Sequence, residues 1–179
     1  LHLPTRRQRQ MCIRDRDTSG SIMFSLDDKF IFYSKLDENH RPRKIFRHEI
    51  GKAVKDDILI FEEKTKAFTV GIGLTSDEKY YLITSSDHNT TEKYYFHVDE
   101  KIPEPKLIKE REKGIIYSIN SWNNNFYMHT NKDAEDFKIL VSKNINSNQW
   151  EDFISAKDET LIGSLVFLNN WIIRTELTN

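Results

Sequence analysis

The sequence has one cysteine, Cys12, in 179 residues. That excludes intrachain disulfides and cysteine-based zinc sites together, and it suits a cytoplasmic protein. No apolar run reaches the length a bilayer-spanning helix needs, so a membrane is not expected as a partner. Helical periodicity is scarce. The one stretch that could be drawn as a helix, AEDFKILVSK, places Phe137, Ile139 and Val141 at period two and reads better as a strand.

Motifs of reaction centres are missing as well. A nucleophile elbow needs Gly-x-Ser-x-Gly on a strand-to-helix turn. Ser164 follows Gly163, but Val166 stands where the second glycine should be, and Ser21 after Gly20 has no matching glycine either. The six histidines are His2, His40, His48, His88, His97 and His129, and none lies in a His-Glu-x-x-His pattern. His97 and Asp99 share one strand face, but two groups leave a metal short of ligands, so they read as a solvated rim pair. Asp87 with His88, and Asp37 with His40, sit in connecting loops and are expected to make local hydrogen bonds. Gly71 and Gly73 lie inside a strand, without the later glycine and lysine of a phosphate loop. Calcium loops are absent too. No catalytic, cofactor-binding or metal-ligating residue is therefore assigned, and no cofactor is expected.

What is present is a repeated β grammar. Aromatics make up 12% of the chain and cluster as FIFY, YY, YYF and FY beside β-branched residues, as strands prefer. The clearest unit runs from Phe68 to Val98: FTVGIGLT, the turn SDEK, YYLITSSD, the loop HNTTE, then KYYFHV, with a fourth run from Lys106. Before it come SIMF, FIFYSK, KIFRHEI and DILIFEE, with Pro42 in a loop where it disfavours pairing. After it come IIYSINSW, FYMHTN, FKILVSK and WEDFIS, then LIGSLVFL and WIIRTEL. The turns at Asp27-Asp28, Ser76-Asp77 and Asn123–Asn125 have hairpin chemistry.

Second strands are expected to start at Phe30, Tyr80, Phe126 and Trp171, spaced about 50, 46 and 45 residues apart. Four short strands at that period is the pattern of propeller blades. FIFY, YYLI, FYM and WII are apolar on both faces, so each sheet must be covered on both sides, as stacked blades are. The expected fold class is all-β: a partial propeller of about three four-stranded antiparallel blades plus a final hairpin. The blades are placed at about 21–63, 67–112, 115–155 and 160–179.

Residues 1–16, LHLPTRRQRQMCIRDR, depart from this grammar. They hold five arginines and no apolar signal-peptide core. They read as non-native, disordered, adapter-like sequence; the competing reading is a basic arm for nucleic acid. Without them Lys plus Arg falls from 27 to 22 and Asp plus Glu from 28 to 27, so the net charge moves from −1 to −5. The remaining domain, 17–179, is acidic, and nucleic acid is not expected as a partner. Glu62 and Glu63 form one candidate acidic patch.

DENHRPRKIFRHEIG, DDILIFEEKTKAFTVGIGLTSDEKYYLITSSDHNTTE and FYMHTNKDAEDFKIL resemble the propeller of the oligopeptidase B group, within the prolyl oligopeptidase family of serine peptidases. The most specific parts are the Asp37–Pro42 loop with Arg47-His48, the Glu62-Glu63 pair, and Thr130-Asn131 through Phe137-Lys138. The resemblance implies a seven-bladed propeller over an α/β-hydrolase domain with a Ser-Asp-His triad. It further implies cleavage of short peptides after Lys or Arg, with the propeller keeping folded proteins out. No triad or basic-pocket residue carries over, because those belong to the hydrolase domain. The chain is expected to be a fragment whose partners are that hydrolase domain and short basic peptides. The other functional class left open is a stand-alone propeller-like binding module.

Overall fold

Fourteen strands alternate with tight turns in the computed structural model, which describes residues 17–178. They are β1 (Thr18–Phe24), β2 (Phe30–Leu36), β3 (Pro42–Glu49), β4 (Ile58–Glu62), β5 (Thr69–Leu74), β6 (Tyr80–Ser86), β7 (Thr91–His97), β8 (Lys106–Lys109), β9 (Tyr117–Trp122), β10 (Asn125–Thr130), β11 (Lys138–Ser142), β12 (Glu151–Ile154), β13 (Thr160–Phe167) and β14 (Ile172–Thr178). The sole helical element among the described residues is a 3-10 turn, Val54–Asp56. The reading of 1–16 as foreign sequence lies outside the described residues.

The strands form three antiparallel four-stranded sheets in chain order, β1-β2-β3-β4, β5-β6-β7-β8 and β9-β10-β11-β12, and a β13-β14 hairpin. This is the all-β, blade-by-blade architecture read from the repeat. The second strands begin within one residue of expectation, at Phe30, Tyr80, Asn125 and Ile172. Pro42 departs from it: the proline opens β3 and lies opposite Leu36 across a register shift. The first position of a strand, beside an irregularity, is where the missing N–H costs least.

The described residues divide into two compact units, one ending at Ile72 and one beginning at Gly73. In the first, Ile45 is fully buried and Phe32 nearly so. Tyr33 and Phe46 lie opposite each other in register and stack at 5.7 Å.

In the second unit two of the three doubly apolar runs do what their pattern requires, while WII leaves Trp171 and Ile173 exposed. Tyr81, Leu82 and Ile83 are consecutive and all buried, as are Phe126, Tyr127 and Met128. Period-two alternation sends Phe126 and Met128 to one face of the third sheet, where they pack with Leu82, Ile108, Tyr117 and Ile119. Tyr127 points the other way, into a cluster with Ile139 and Ile162 of the hairpin. Each such buried side chain is worth about 1.5–3 kcal/mol relative to exposure. Sheet-on-sheet stacking is therefore the main source of stability here.

Turn chemistry repeats from sheet to sheet. Asp27 Oδ1 accepts from Ser25 Oγ and Lys29 N, and Asp77 Oδ1 accepts from Thr75 Oγ1 and Lys79 N. Asn123 and Asn124 both have positive φ, 48° and 59°, as a two-residue type I′ hairpin demands. The second connections open on aspartates: Asp37 accepts from Asn39 N and Arg41 N, and Asp87 from Asn89 N and Thr90 N.

Candidate functional site

The two serines with a preceding glycine sit inside strands. Gly163 and Ser164 form a bulge in β13, where two residues oppose Thr175 alone between the pairs Ile162–Glu176 and Leu165–Arg174. A Cβ at position 163 would collide with Thr175 Oγ1 and crowd the Thr175 carbonyl at 3.1 Å, so the close approach favours glycine. Ser164 is exposed on a strand, with no helix to follow it. Ser21 lies in the irregular start of β1. Neither has the strand-to-helix turn that exposes and activates a nucleophile.

The histidines split in a way the sequence does not announce. His48 Nδ1 donates to Asp57 Oδ1 at 2.6 Å, and Tyr33 Oη donates to Asp57 Oδ2 at 2.7 Å. Burial, then the bond to Asp57, raise the Tyr33 phenol above its ordinary range. The Asp57 side chain is 5% exposed and that of His48 21%. The imidazole is thus oriented by a carboxylate, as a general base would be, and among the described residues the hydroxyl that joins the cluster is the Tyr33 phenol on the other Asp57 oxygen. Sequence reading picked out His48 but missed Tyr33 and Asp57, because the register of β2 and the turn at Val54–Asp56 bring them together.

The other described histidines make local contacts. His97 pairs with Asp99 at 3.4 Å and meets the Tyr80 ring edge-on. His88 is exposed 4.0 Å from Asp87. His129 stacks on Phe137 at 4.6 Å, and its Nε2 donates to the Ile162 carbonyl at 2.7 Å. No group of three or more His, Cys, Asp or Glu among the described residues could hold a metal. The Glu62-Glu63 doublet divides: Glu62 pairs with Lys44 at 3.1 Å near the surface, while Glu63 is buried and accepts from Thr65 N. It is not one exposed patch.

Charged groups missed in the sequence lie in the second sheet. Glu92 accepts from Arg111 Nε at 3.1 Å, from Arg111 N at 3.1 Å and from Tyr94 Oη at 2.9 Å. Burial alone would raise its carboxyl, but these bonds outweigh it and hold the group below its ordinary value. Lys93 is nearly buried, and Nζ donates to Thr84 Oγ1. Burial pushes its ammonium down to about 8. Only the strand register makes these positions internal.

Two clefts open in the second unit. One, of about 560 Å³, lies between the second and third sheets and is lined by Lys109, Lys138, Ile108, Met128, Leu140 and Trp150. The other, of about 620 Å³, lies where three first-hairpin turns converge, with Asp77, Trp122, Phe167 and Trp171 on its walls. Either can hold a small ligand.

The profile described as the prolyl oligopeptidase N-terminal beta-propeller domain matches residues 12–179. The chain belongs to that family. Protease 2 of Moraxella lacunata is 34% identical over 121 residues, which cover 68% of this chain and 18% of that protein. Dipeptidyl aminopeptidase BI of Pseudoxanthomonas mexicana is 23% identical over 164 residues, 89% of this chain and 22% of that protein. Among solved structures, oligopeptidase B from Trypanosoma brucei with covalently bound antipain, in its closed form, superposes with a TM-score of 0.85 at 23% identity. That match covers 93% of this chain and 25% of that one. Oligopeptidase B from Leishmania major gives 0.83 at 22% identity, over 89% of this chain and 23% of that one. The structural likeness carries the propeller fold. The chain spans about a fifth of the length of the curated relatives. No helix among the described residues is long and apolar enough to cross a membrane.

Proposed function

We propose that this propeller segment is a non-catalytic part of a cytoplasmic serine oligopeptidase that cleaves short peptides after Lys or Arg. Its role is to restrict access to an active site carried by an α/β-hydrolase domain. The observation that carries the reading is the propeller-family match along residues 12–179. Acyl transfer needs nucleophile, base and oxyanion donors converging on one point, and the proposal assigns that set to the hydrolase domain. A net charge of −5 over residues 17–179 is consistent with cationic peptides as substrates.

The test uses the complete parent protein. Short reporter peptides ending in Arg or Lys should be cleaved, the same sequence inside a folded protein should not, and weakening the propeller should admit the larger substrate. A parent gene whose product has no hydrolase domain, or that cleaves folded and short substrates equally, would refute the gating role and leave a binding module.

A further inference from the structure

Lysines converge on the seam between the second and third sheets, while the carboxylates that line the same cleft stay at its exposed rim. Lys93 of β7 and Lys109 of β8 are directly opposite each other in register. Like charges in that position repel across a sheet. Lys93 is buried with a hydroxyl, Thr84 Oγ1, as its hydrogen-bond acceptor. Among the described residues Lys109 has no carboxylate in ion-pair contact, and its Nζ lies 6.0 Å from the centre of the Trp150 ring, at the outer limit of a cation–π contact. From the third sheet, Lys138 enters the same cleft with its side chain 18% exposed and a carboxylate, Asp152, no nearer than 4.0 Å. Lys132 at the mouth is neutralised by Glu112 at 2.5 Å.

The acidic groups of the cleft, Glu110, Glu112 and Asp133, are all exposed at its rim. Inside are Lys109, Lys138 and an apolar wall of Ile108, Met128, Leu140 and Trp150. Burial and the neighbouring Lys132 both hold the Lys109 ammonium below its ordinary value. A bound anion would relieve both, and an apolar body attached to it would cover the wall.

We propose that the cleft between the second and third sheets is a binding site for an amphipathic carboxylate, whose anionic head meets Lys109 and Lys138 and whose apolar body lies against Trp150 and Met128. A free organic acid and the C-terminal carboxylate of a short peptide share this chemistry. The volume of about 560 Å³ falls within the ~300–1,000 Å³ usual for small-ligand sites.

The experiment titrates the chain with 4-phenylbutyrate and with the uncharged 4-phenylbutanol, reading Trp150-region amide shifts by NMR. The acid should bind saturably and the alcohol at least about tenfold more weakly, as a charge-assisted contact requires. Lys109→Gln and, separately, Lys138→Gln should each erase that difference without lowering the thermal midpoint. An acetylated tripeptide and its C-terminal amide identify the source. Stronger binding of the free-acid tripeptide than of phenylbutyrate names a peptide terminus, and the reverse order names a small acid. Equal binding of acid and alcohol, or acid binding untouched in both variants, would overturn the site.

Discussion

Ser121 Oγ donates to Asp77 Oδ2 at 2.7 Å, tying the first hairpin turn of the second sheet to the first strand of the third. Asp77 uses its other oxygen inside its own turn, on Thr75 Oγ1. Around this bond Ser76 N donates to Asn120 Oδ1 at 2.7 Å and Asn120 Nδ2 to Ser76 Oγ at 2.8 Å. Lys79 Nζ reaches Asn124 Oδ1 at 2.8 Å. The turn residue that shapes one blade thus also fastens the next.

The first prediction tests that double use. Asp77→Ala should destabilise the chain by about 1–3 kcal/mol, since it strands several polar partners. Ser121→Ala should cost less, about 1 kcal/mol. Combined in a double-mutant cycle, the two should couple by roughly 0.5–1.5 kcal/mol. Strict additivity in urea unfolding would show that the bond does not hold the blades together.

The second prediction concerns alkaline pH. Lys93 titrates at about 8 in the folded chain, against an ordinary 10.5. Between those values the unfolded state binds more protons, so stability rises with pH. The rise is worth up to about 3 kcal/mol, from ~1.4 kcal/mol per pH unit. Above about pH 10 the unfolded tyrosines ionise, while burial keeps Tyr117 protonated in the fold. Stability should then fall. Lys93→Met should remove the alkaline rise and stabilise the chain at neutral pH. A flat profile between pH 8 and pH 10, identical in the variant, would contradict it.

Acid titration should report Glu92 through Arg111. The Glu92 carboxyl is held below its ordinary value, with burial opposed by the bonds from Arg111 and Tyr94. Its contribution is therefore present above the unfolded carboxylate pKa of about 4.3 and is lost as pH falls through the folded one. Arg111→Ala leaves a nearly buried carboxylate without its cation and should cost about 3 kcal/mol at neutral pH. The variant should also lose much of the wild-type acid sensitivity. Equal acid midpoints in the two proteins would show the pair to be energetically idle.

How much of this was legible beforehand depends on the range of the signal. The doubly apolar runs YYLI and FYM carried their own instruction, because two buried faces need two covering sheets. Hairpin turns were equally local: Asp27, Asp77 through its Oδ1, and the Asn123-Asn124 pair act within a few residues, whereas the Asp77–Ser121 bond spans 44 residues. The Tyr33–Asp57–His48 cluster, the Lys93–Lys109 register pair and the Glu92–Arg111 pair were not legible. Their partners lie 9 to 24 residues apart in Tyr33, His48 and Asp57 and 19 apart in Glu92 and Arg111. Bulges reset the register between them. Pro42 misled for a related reason, since a rule about interior strand positions does not bind at a strand's first residue.

The last prediction concerns the hairpin's outward face. Ile162, Leu165, Phe167 and Ile172 turn inward against the third sheet. Two cross-strand pairs, Leu161 with Leu177 and Val166 with Ile173, occupy the opposite face. Val166, Ile173 and Leu177 are 52%, 49% and 64% exposed, and Trp171 at the turn is 72% exposed. An apolar sheet face beside unpaired strand edges favours intermolecular β contacts. The 179-residue chain should therefore self-associate with rising concentration in sedimentation velocity. Val166→Lys with Ile173→Glu should suppress this, because the new charges pair across the strands and repel a second apolar face. The amides of the second sheet, stacked on the third, should exchange more slowly than those of the hairpin. A wild-type chain that stays monomeric at high concentration, with hairpin amides as protected as those of β6 and β10, would mean that this face is stable in water without a cover.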